Sequence, residues 1–267
     1  MTLRGIDVSN WDAGLKPHNA KVDFCICKAT EGVSFTDPYM NGFINNCKAH
    51  GILYGFYHFA GKNAPEREAN YFWSKTKHLH RKGIPVLDYE TWEYNRNHVA
   101  WCERFIKRFH DLSGIWPLLY ISAWYRQEFK GSFICKKCGL WAAGGNSYDS
   151  TKWIGSDLPF DPAPWDCVSI WQFTECLDAA GYDLDADYAY MDKKGWLAYA
   201  GVQTTAENKK PVQTKTPEKA PKTCEELAKE VIAGKWGNGW NRQNALDSAY
   251  GPGTYEHVQE IVNRMVD

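Results

Sequence analysis

Residues 85–90 read Pro85-Val86-Leu87-Asp88-Tyr89-Glu90, a short apolar run that ends in two carboxylates two positions apart. A run of this length has the size of a buried strand. Alternate side chains of an extended chain share a face, so Asp88 and Glu90 point the same way, about 6.6 Å apart along the backbone. Two carboxylates in one pocket cannot both ionise freely, and one pKa is pushed up. A carboxyl that keeps its proton near neutrality is what general-acid cleavage of a glycosidic bond requires. Asp-x-Glu in isolation is more often structural, so its meaning depends on which other segments join it.

Working outward, similar runs recur at Arg4–Val8, Val22–Lys28, Ile52–Phe59, Ile84–Tyr89, Leu118–Ser122, Leu140–Ala143 and Val168–Phe173, with a last one near Asp185. The second to the fifth begin roughly 30 residues apart, the span of a βαβ unit. Helical patterns fill those gaps: a first turn at Pro38 with a stop at Gly51, an amphipathic stretch over Glu66–Lys82 with Gly83 beyond it, and another over His98–Leu112. Eight strands with helices mainly in the first half predict an α/β fold, a TIM-like barrel incomplete on one side. An open doubly wound sheet is the alternative, but no Gly-rich dinucleotide turn follows any strand. Parallel barrels gather functional groups at strand C-terminal ends. Asp7, Asp88, Glu90 and Asp185 would meet there from distant segments, near Tyr57, Trp171 and Gln172. An acidic set can also bind a metal, but no histidine accompanies it, because alternation turns His58 away from the face of Tyr57. No metal and no cofactor are expected.

Composition narrows the class. Of 267 residues, 44% are hydrophobic and 24% charged, which suits a folded chain rather than a disordered one. A net charge of -1 excludes simple electrostatic binding of nucleic acid. No 18-residue apolar run predicts a membrane span, and the first residues lack the apolar core of a classical secretory peptide. Aromatics reach 15%, with 13 Trp and 15 Tyr. Their apolar faces and polar handles suit sugar rings as well as a core. Nine cysteines are an odd number for a secreted disulfide framework. Cys25 and Cys27 should share one strand face; Cys135 and Cys138 form a lone CxxC, with Cys167 and Cys176 further on. Reduced, partly buried thiols are the plainer reading than zinc ligands. Val202–Lys222 carries three prolines and five lysines without an aromatic residue, and reads as an extended linker. It divides a body, residues 1–201, from residues 223–267. The latter pattern as three short helices, Glu225–Ala233, Asn241–Ala249 and Tyr255–Val266, a small bundle.

The body resembles the glycoside hydrolase family 25 lysozymes. The likeness rests on Gly5-Ile-Asp-Val-Ser9 with Trp11, Lys28-Ala-Thr-Glu-Gly32 with Thr36-Asp-Pro-Tyr39, Gly55-Phe-Tyr-His58, Glu68-Ala69 with Tyr71-Phe72, Pro85–Glu90, Tyr120-Ile-Ser122, Leu140-Trp-Ala142 and Ile170-Trp-Gln-Phe173, in that order. It implies an irregular barrel of five β/α units followed by three strands, and cleavage of the β-1,4 bond between N-acetylmuramic acid and N-acetylglucosamine in bacterial peptidoglycan. By the same resemblance Glu90 is the general acid, Asp88 the carboxylate beside it, and Asp7 and Asp185 the other two acids. Asp183 and Asp187 compete with Asp185 for the last place; spacing to Asp192 and Trp196 favours Asp185. Tyr57, Tyr120, Trp141 and Gln172 would line sugar subsites. The family's mechanism implies net retention with help from the substrate's N-acetyl group, which Asp88 would orient.

The C-terminal segment resembles the cell-wall-binding repeat CW-7, through Glu226–Gly239, Arg242, Val258-Gln259 and Val262-Asn263. That resemblance implies a muropeptide ligand, with Trp236, Asn238 and Arg242 as contacts. The connection Ala249–Tyr255 departs from the family's usual Gly-Tyr-Asp-Tyr, and only one copy is present. Together these readings describe a phage-type endolysin made in a host cytoplasm, or an exported bacterial autolysin, acting on the wall with no nucleic-acid or membrane partner. Three alternatives compete. A chitinase-like or N-acetylglucosaminidase hydrolase would want an acid where Val86 stands. A catalytically inactive wall-binding protein would have lost a carboxylate. A peptidoglycan amidase or peptidase would need zinc ligands or a pairing of Cys25 or Cys27 with His58.

Overall fold

The computed structural model describes residues 2–90, 97–145, 148–202, 222–236, 239–250 and 254–266. The chain divides into two compact units, Met1–Asn208 and Lys209–Asp267. Most of the segment read as a linker lies outside the described residues.

The first unit contains strands β1 (Leu3–Val8), β2 (Phe24–Glu31) and β3 (Phe35–Thr36), then helix α1 (Met40–His50), β4 (Leu53–Phe59), α2 (Pro65–Thr76), β5 (Ile84–Asp88), α3 (His98–Ser113), β6 (Leu118–Ser122), the single turn α4 (Ile134–Lys137), β7 (Leu140–Ala143), β8 (Val168–Ala179), β9 (Tyr182–Ala189) and α5 (Lys193–Tyr199). Around the barrel the order is β1-β9-β8-β7-β6-β5-β4-β2, and pairing of β2 with β1 closes the ring. Seven strands are mutually parallel; β9 runs against both β8 and β1. β3 is a two-residue edge hairpin on β2, outside the ring. The barrel of eight strands agrees with the sequence reading. Between β1 and β2 the chain forms two short 3-10 segments, Asn10–Asp12 and Pro17–Ala20.

Alternation decides what faces inward. From β2, Phe24 and Ile26 pack inside the barrel with Ile84, Val86, Leu118, Ile170 and Ala189, while Cys25, Cys27 and Ala29 face the helices. Trp196 and Ala200 plug the bottom, and the Trp196 ring lies 4.7 Å from that of Phe24. A side chain on Gly5 would collide with Phe24, since an added Cβ would come within 2.2 Å of the ring. Glycine in β1 therefore admits the large ring that fills the lower barrel.

Several boundaries differ from the sequence reading. α1 begins at Met40 because Asp37 and Pro38 form a turn, in which Asp37 accepts hydrogen bonds from the Asn10 and Tyr39 amides. α2 stops at Thr76, six residues short of Lys82. The Thr76 hydroxyl donates back to the Phe72 carbonyl, residues 77–79 tighten into a 3-10 turn, and Arg81 takes a left-handed conformation. β8 continues past Phe173 to Ala179 because it pairs with β9 in a hairpin whose turn places Ala180 and Gly181 at positive φ. The second unit holds α6 (Cys224–Ile232), α7 (Gly239–Tyr250) and α8 (Thr254–Val266), near the three predicted spans. Leu227, Ala228, Val231, Leu246, Val258 and Val262 form its core.

Behind the barrel wall, His58 and Glu68 are both fully buried. His58 Nε2 donates to Glu68 at 3.0 Å and Nδ1 accepts from the Thr30 hydroxyl at 2.8 Å. Desolvation lowers the His58 pKa, so the ring is neutral and this tautomer satisfies both nitrogens. Burial raises Glu68, but hydrogen bonds from His58 and from the Gly61 and Asn63 amides outweigh it and hold the carboxylate low. One carboxylate thus ties α2 to the loop after β4. Glu68→Ala should remove roughly 3 kcal/mol of stability by leaving these donors unpaired. A thermal melt checks this; a midpoint unchanged within about 1 °C would show the network to be idle.

Candidate active site

The upper ends of the parallel strands and the start of β9 open onto one groove. Asp7, Lys28, Tyr57, Asp88, Glu90, Tyr120, Trp141, Gln172 and Asp185 line its central cavity, with Trp11 and Phe59 on its walls. Every acid and every sugar-contact residue predicted for the barrel is brought together there. Each follows from inward alternation: Asp7 is two residues beyond Gly5, Lys28 two beyond Ile26, and Asp88 and Glu90 two and four beyond Val86. Asp7 lies directly opposite Asp185 in the antiparallel β1–β9 pair.

The three aspartates of β9 lie on one face at different depths. Asp183 stands at the outer rim, beside a second cavity shared with Trp11 and Asp12. Asp185 lines the groove itself. Asp187 is fully buried beneath it and accepts the Trp141 indole N–H at 2.8 Å. Asp187, which competes with Asp185 in the sequence reading, presses its charge on Asp7 from below.

A hydrogen-bond chain orients Asp7. The Gln172 side-chain carbonyl accepts two phenols, Tyr120 and Tyr148, each at 2.9 Å. Its amide must then point the other way, and Nε2 donates to Asp7 Oδ2 at 2.8 Å. Tyr120 meets Trp141 edge-on, with ring centroids 4.7 Å apart. Trp141 is only 2% exposed, so it and its neighbours form a groove floor rather than open sugar platforms. The most exposed rings among the described residues are Trp11, at 88%, and Trp124, at 82%.

Charge in the groove is one-sided. Burial is the first cause of a raised pKa at Asp7, followed by the Asp187 charge, with Gln172 opposing. Burial again leads at Asp88, then Glu90 and Asp7, with Lys28 opposing. Glu90 is exposed as a residue, yet the protein around it desolvates the carboxyl and raises its pKa against the pull of Lys28. Asp185 is pushed up to about 9 by burial and by Asp7. Lys28 is held by Glu31 at 2.7 Å and lies over the Phe59 ring. Asp88 Oδ1 is buried without a hydrogen-bond partner among the described residues.

Sequence reasoning gave no role to Lys28, Tyr148 or Trp124. Lys28 was accessible, since it continues the inward series of β2. Tyr148 lies in a turn and Trp124 in a 3-10 segment, where no strand alternation marks a face. The thiols do not enter the groove. Cys25 and Cys27 are buried on the helix side with Sγ atoms 3.8 Å apart, and desolvation raises both pKa values. Such thiols are poor nucleophiles, and the neighbouring His58 is committed to Thr30 and Glu68, which argues against the peptidase alternative. Among the described residues no cluster of three or more His, Cys, Asp or Glu side chains would hold a metal ion.

In the second unit Trp236 is half-buried, donates to Glu230 at 3.2 Å and packs edge-on to Tyr250. Arg242 donates to Gln259, which donates to Asn263. Asn238 lies outside the described residues.

A closed barrel with a carboxyl pair at the end of β5 and two further acids across the mouth fits the arrangement of a glycoside hydrolase. Residues 6–182 match the model of glycosyl hydrolases family 25, and the chain belongs to that family; residues 225–266 match the CW_7 repeat. The chain is 29% identical to the N,O-diacetylmuramidase of Chalaropsis sp over 144 residues, 46% of this chain and 68% of that protein. It superposes on a family GH25 lysozyme from Aspergillus fumigatus with a TM-score of 0.60 and 25% identity, covering 75% of this chain and 99% of that one. The catalytic domain of an endolysin from a bacteriophage of Listeria monocytogenes shares the fold at a TM-score of 0.58 and 22% identity, over 75% and 98% of the two chains.

Raised carboxyl pKa values make the groove costly to the fold. A carboxyl that binds its proton more tightly when folded stabilises at low pH, and that contribution is lost as pH rises from the unfolded value toward the folded one. Asp185→Asn should therefore raise the melting midpoint at pH 8 by several degrees, with the gain shrinking toward pH 4. Melts of both proteins across this range test it; a gain independent of pH would place the cause outside the titration of Asp185.

Proposed function

We propose that this chain is an N-acetylmuramidase that hydrolyses the β-1,4 bond between N-acetylmuramic acid and N-acetylglucosamine in peptidoglycan. The observation that carries the reading is the asymmetry of the carboxyl pair. Glu90 is exposed and has a raised pKa, as a general acid needs; Asp88 is buried, and its Oδ1 has no hydrogen-bond partner among the described residues.

In this reading Glu90 donates its proton to the glycosidic oxygen as the bond to the anomeric carbon breaks. The acetamido carbonyl oxygen of the muramic acid attacks that carbon and forms a cyclic oxazolinium intermediate. Its N–H hydrogen-bonds to Asp88 Oδ1, which favours the ionised carboxylate there. Water then attacks the anomeric carbon and gives its proton to Glu90 as the bond from that carbon to the acetamido oxygen breaks; the acetamide is restored, and Glu90 returns as the acid, with net retention. Asp7, held by Gln172, and Asp185 face the positive charge that develops at the sugar ring. The family membership and the name of the Chalaropsis relative support this substrate over chitin, as does Val86, which is core where a further acid would be needed.

The CW_7 match supports a wall anchor at residues 225–266, with a muropeptide as ligand. Tethering a hydrolase to its polymer raises local substrate concentration. The pairing supports a bacteriolytic role, as a phage endolysin made in the host cytoplasm or as an exported autolysin.

Glu90→Gln should lower turnover on Gram-positive cell walls by at least about 10³-fold while leaving wall binding intact, with reduced muramic acid as the borohydride-trapped product of the parent enzyme. Reduced glucosamine would instead make it a glucosaminidase, and free amines without reducing ends would overturn glycosidase chemistry. Removing residues 223–267 should weaken wall pelleting more than it slows cleavage of soluble glycan fragments. Equal losses on both would assign the module a folding role.

A further inference from the structure

The groove has a direction, and Trp124 marks one end of it. Glu90 and Tyr120 line two neighbouring cavities. The central one holds Asp7, Asp88 and Asp185. The lateral one is bounded by Glu90, Tyr120, Ser122, Trp124, Gly144 and Gly145, and Glu90 is its only carboxylate among the described residues. A general acid protonates the oxygen that leaves with the departing sugar, whereas the remaining carboxylates stabilise the sugar that becomes positively charged. The scissile bond therefore lies over Glu90, the charged ring sits in the central cavity, and the departing sugar lies on the lateral side.

The lateral cavity suits a neutral sugar. Trp124 is 82% exposed, an aromatic face held at the start of the 3-10 segment after β6. On the same cavity, after the neighbouring strand β7, the chain runs through two glycines at positive φ. A Cβ on Gly145 would come within 2.8 Å of Pro159, and a side chain on Gly144 would enter open space. One wall is thus a ring for stacking against pyranose C–H groups, and the other is bare backbone.

We infer that Trp124 and the Gly144-Gly145 backbone form the binding site for the N-acetylglucosamine released on the leaving-group side, and that Trp11 serves the opposite, glycone side. The inference rests on Glu90 acting as the general acid.

The test is bond selection on defined glycan oligomers labelled at the reducing end. Losing a leaving-group-side contact makes the enzyme place more sugars on the glycone side, so cleavage moves toward the reducing end. Trp124→Ala should show that shift, with kcat/KM reduced about tenfold on the longest oligomers, and Trp124→Phe should restore most of the parent pattern. Trp11→Ala should shift cleavage the other way. Both side chains are exposed, so melting midpoints should stay at the parent value. An unchanged pattern in Trp124→Ala, or the same shift from Trp11→Ala instead, would overturn the inference. The muramidase reading is scored separately, by which sugar carries the new reducing end and by the loss of turnover in Glu90→Gln.

Discussion

The rest of the barrel depends on how its ring is closed. Seven strands run parallel, so their inward side chains grade from an apolar bottom to a polar mouth. The eighth, β9, runs against both neighbours, and its beginning therefore stands at the mouth. This reversal sets Asp185 opposite Asp7 and lowers Asp187 to the floor under Trp141. Had β9 run parallel, Tyr182 would start at the barrel bottom and the aspartates would face the hydrophobic plug of Trp196.

Crowding acids at the mouth has an energetic consequence. Asp7, Asp88, Asp185 and Asp187 are withdrawn from water with few donors, and their pKa values rise accordingly. The fold offsets this with Lys28, with the Gln172 amide on Asp7 and with the Trp141 indole on Asp187. Among the groove acids it is Glu90, with its own pKa raised by desolvation, that is suited to giving a proton to a glycosidic oxygen. Stability and chemistry draw on the same carboxyl groups, as expected where activity requires an unfavourable arrangement.

The two buried polar clusters have opposite designs. Around Glu68 every donor meets an acceptor, and the result is a rigid strap behind β4. At the mouth Asp88 keeps an oxygen unpaired. Satisfied networks fix structure, and an unsatisfied acceptor facing a groove fits a partner supplied by the substrate.

Much of this was legible in the sequence. Strand-length apolar runs about 30 residues apart gave the barrel, and alternation placed Asp88 with Glu90 and turned His58 outward, because side-chain direction in an extended chain depends only on parity. Cys25 and Cys27 sharing a face followed from the same rule. The end of α2 at Thr76 was not legible, because it is set by the Thr76 hydroxyl donating to the Phe72 carbonyl and by the close passage of Gly83 past Tyr54. Nor was the depth of Asp185 against Asp187, which share a face and differ only in height along β9. Trp124 reaches the groove from a 3-10 segment and Tyr148 from a turn, outside the strands whose alternation fixes direction. Local periodicity determines which side of a strand a residue occupies; closure of the ring decides which residues meet, and how far each stands from water.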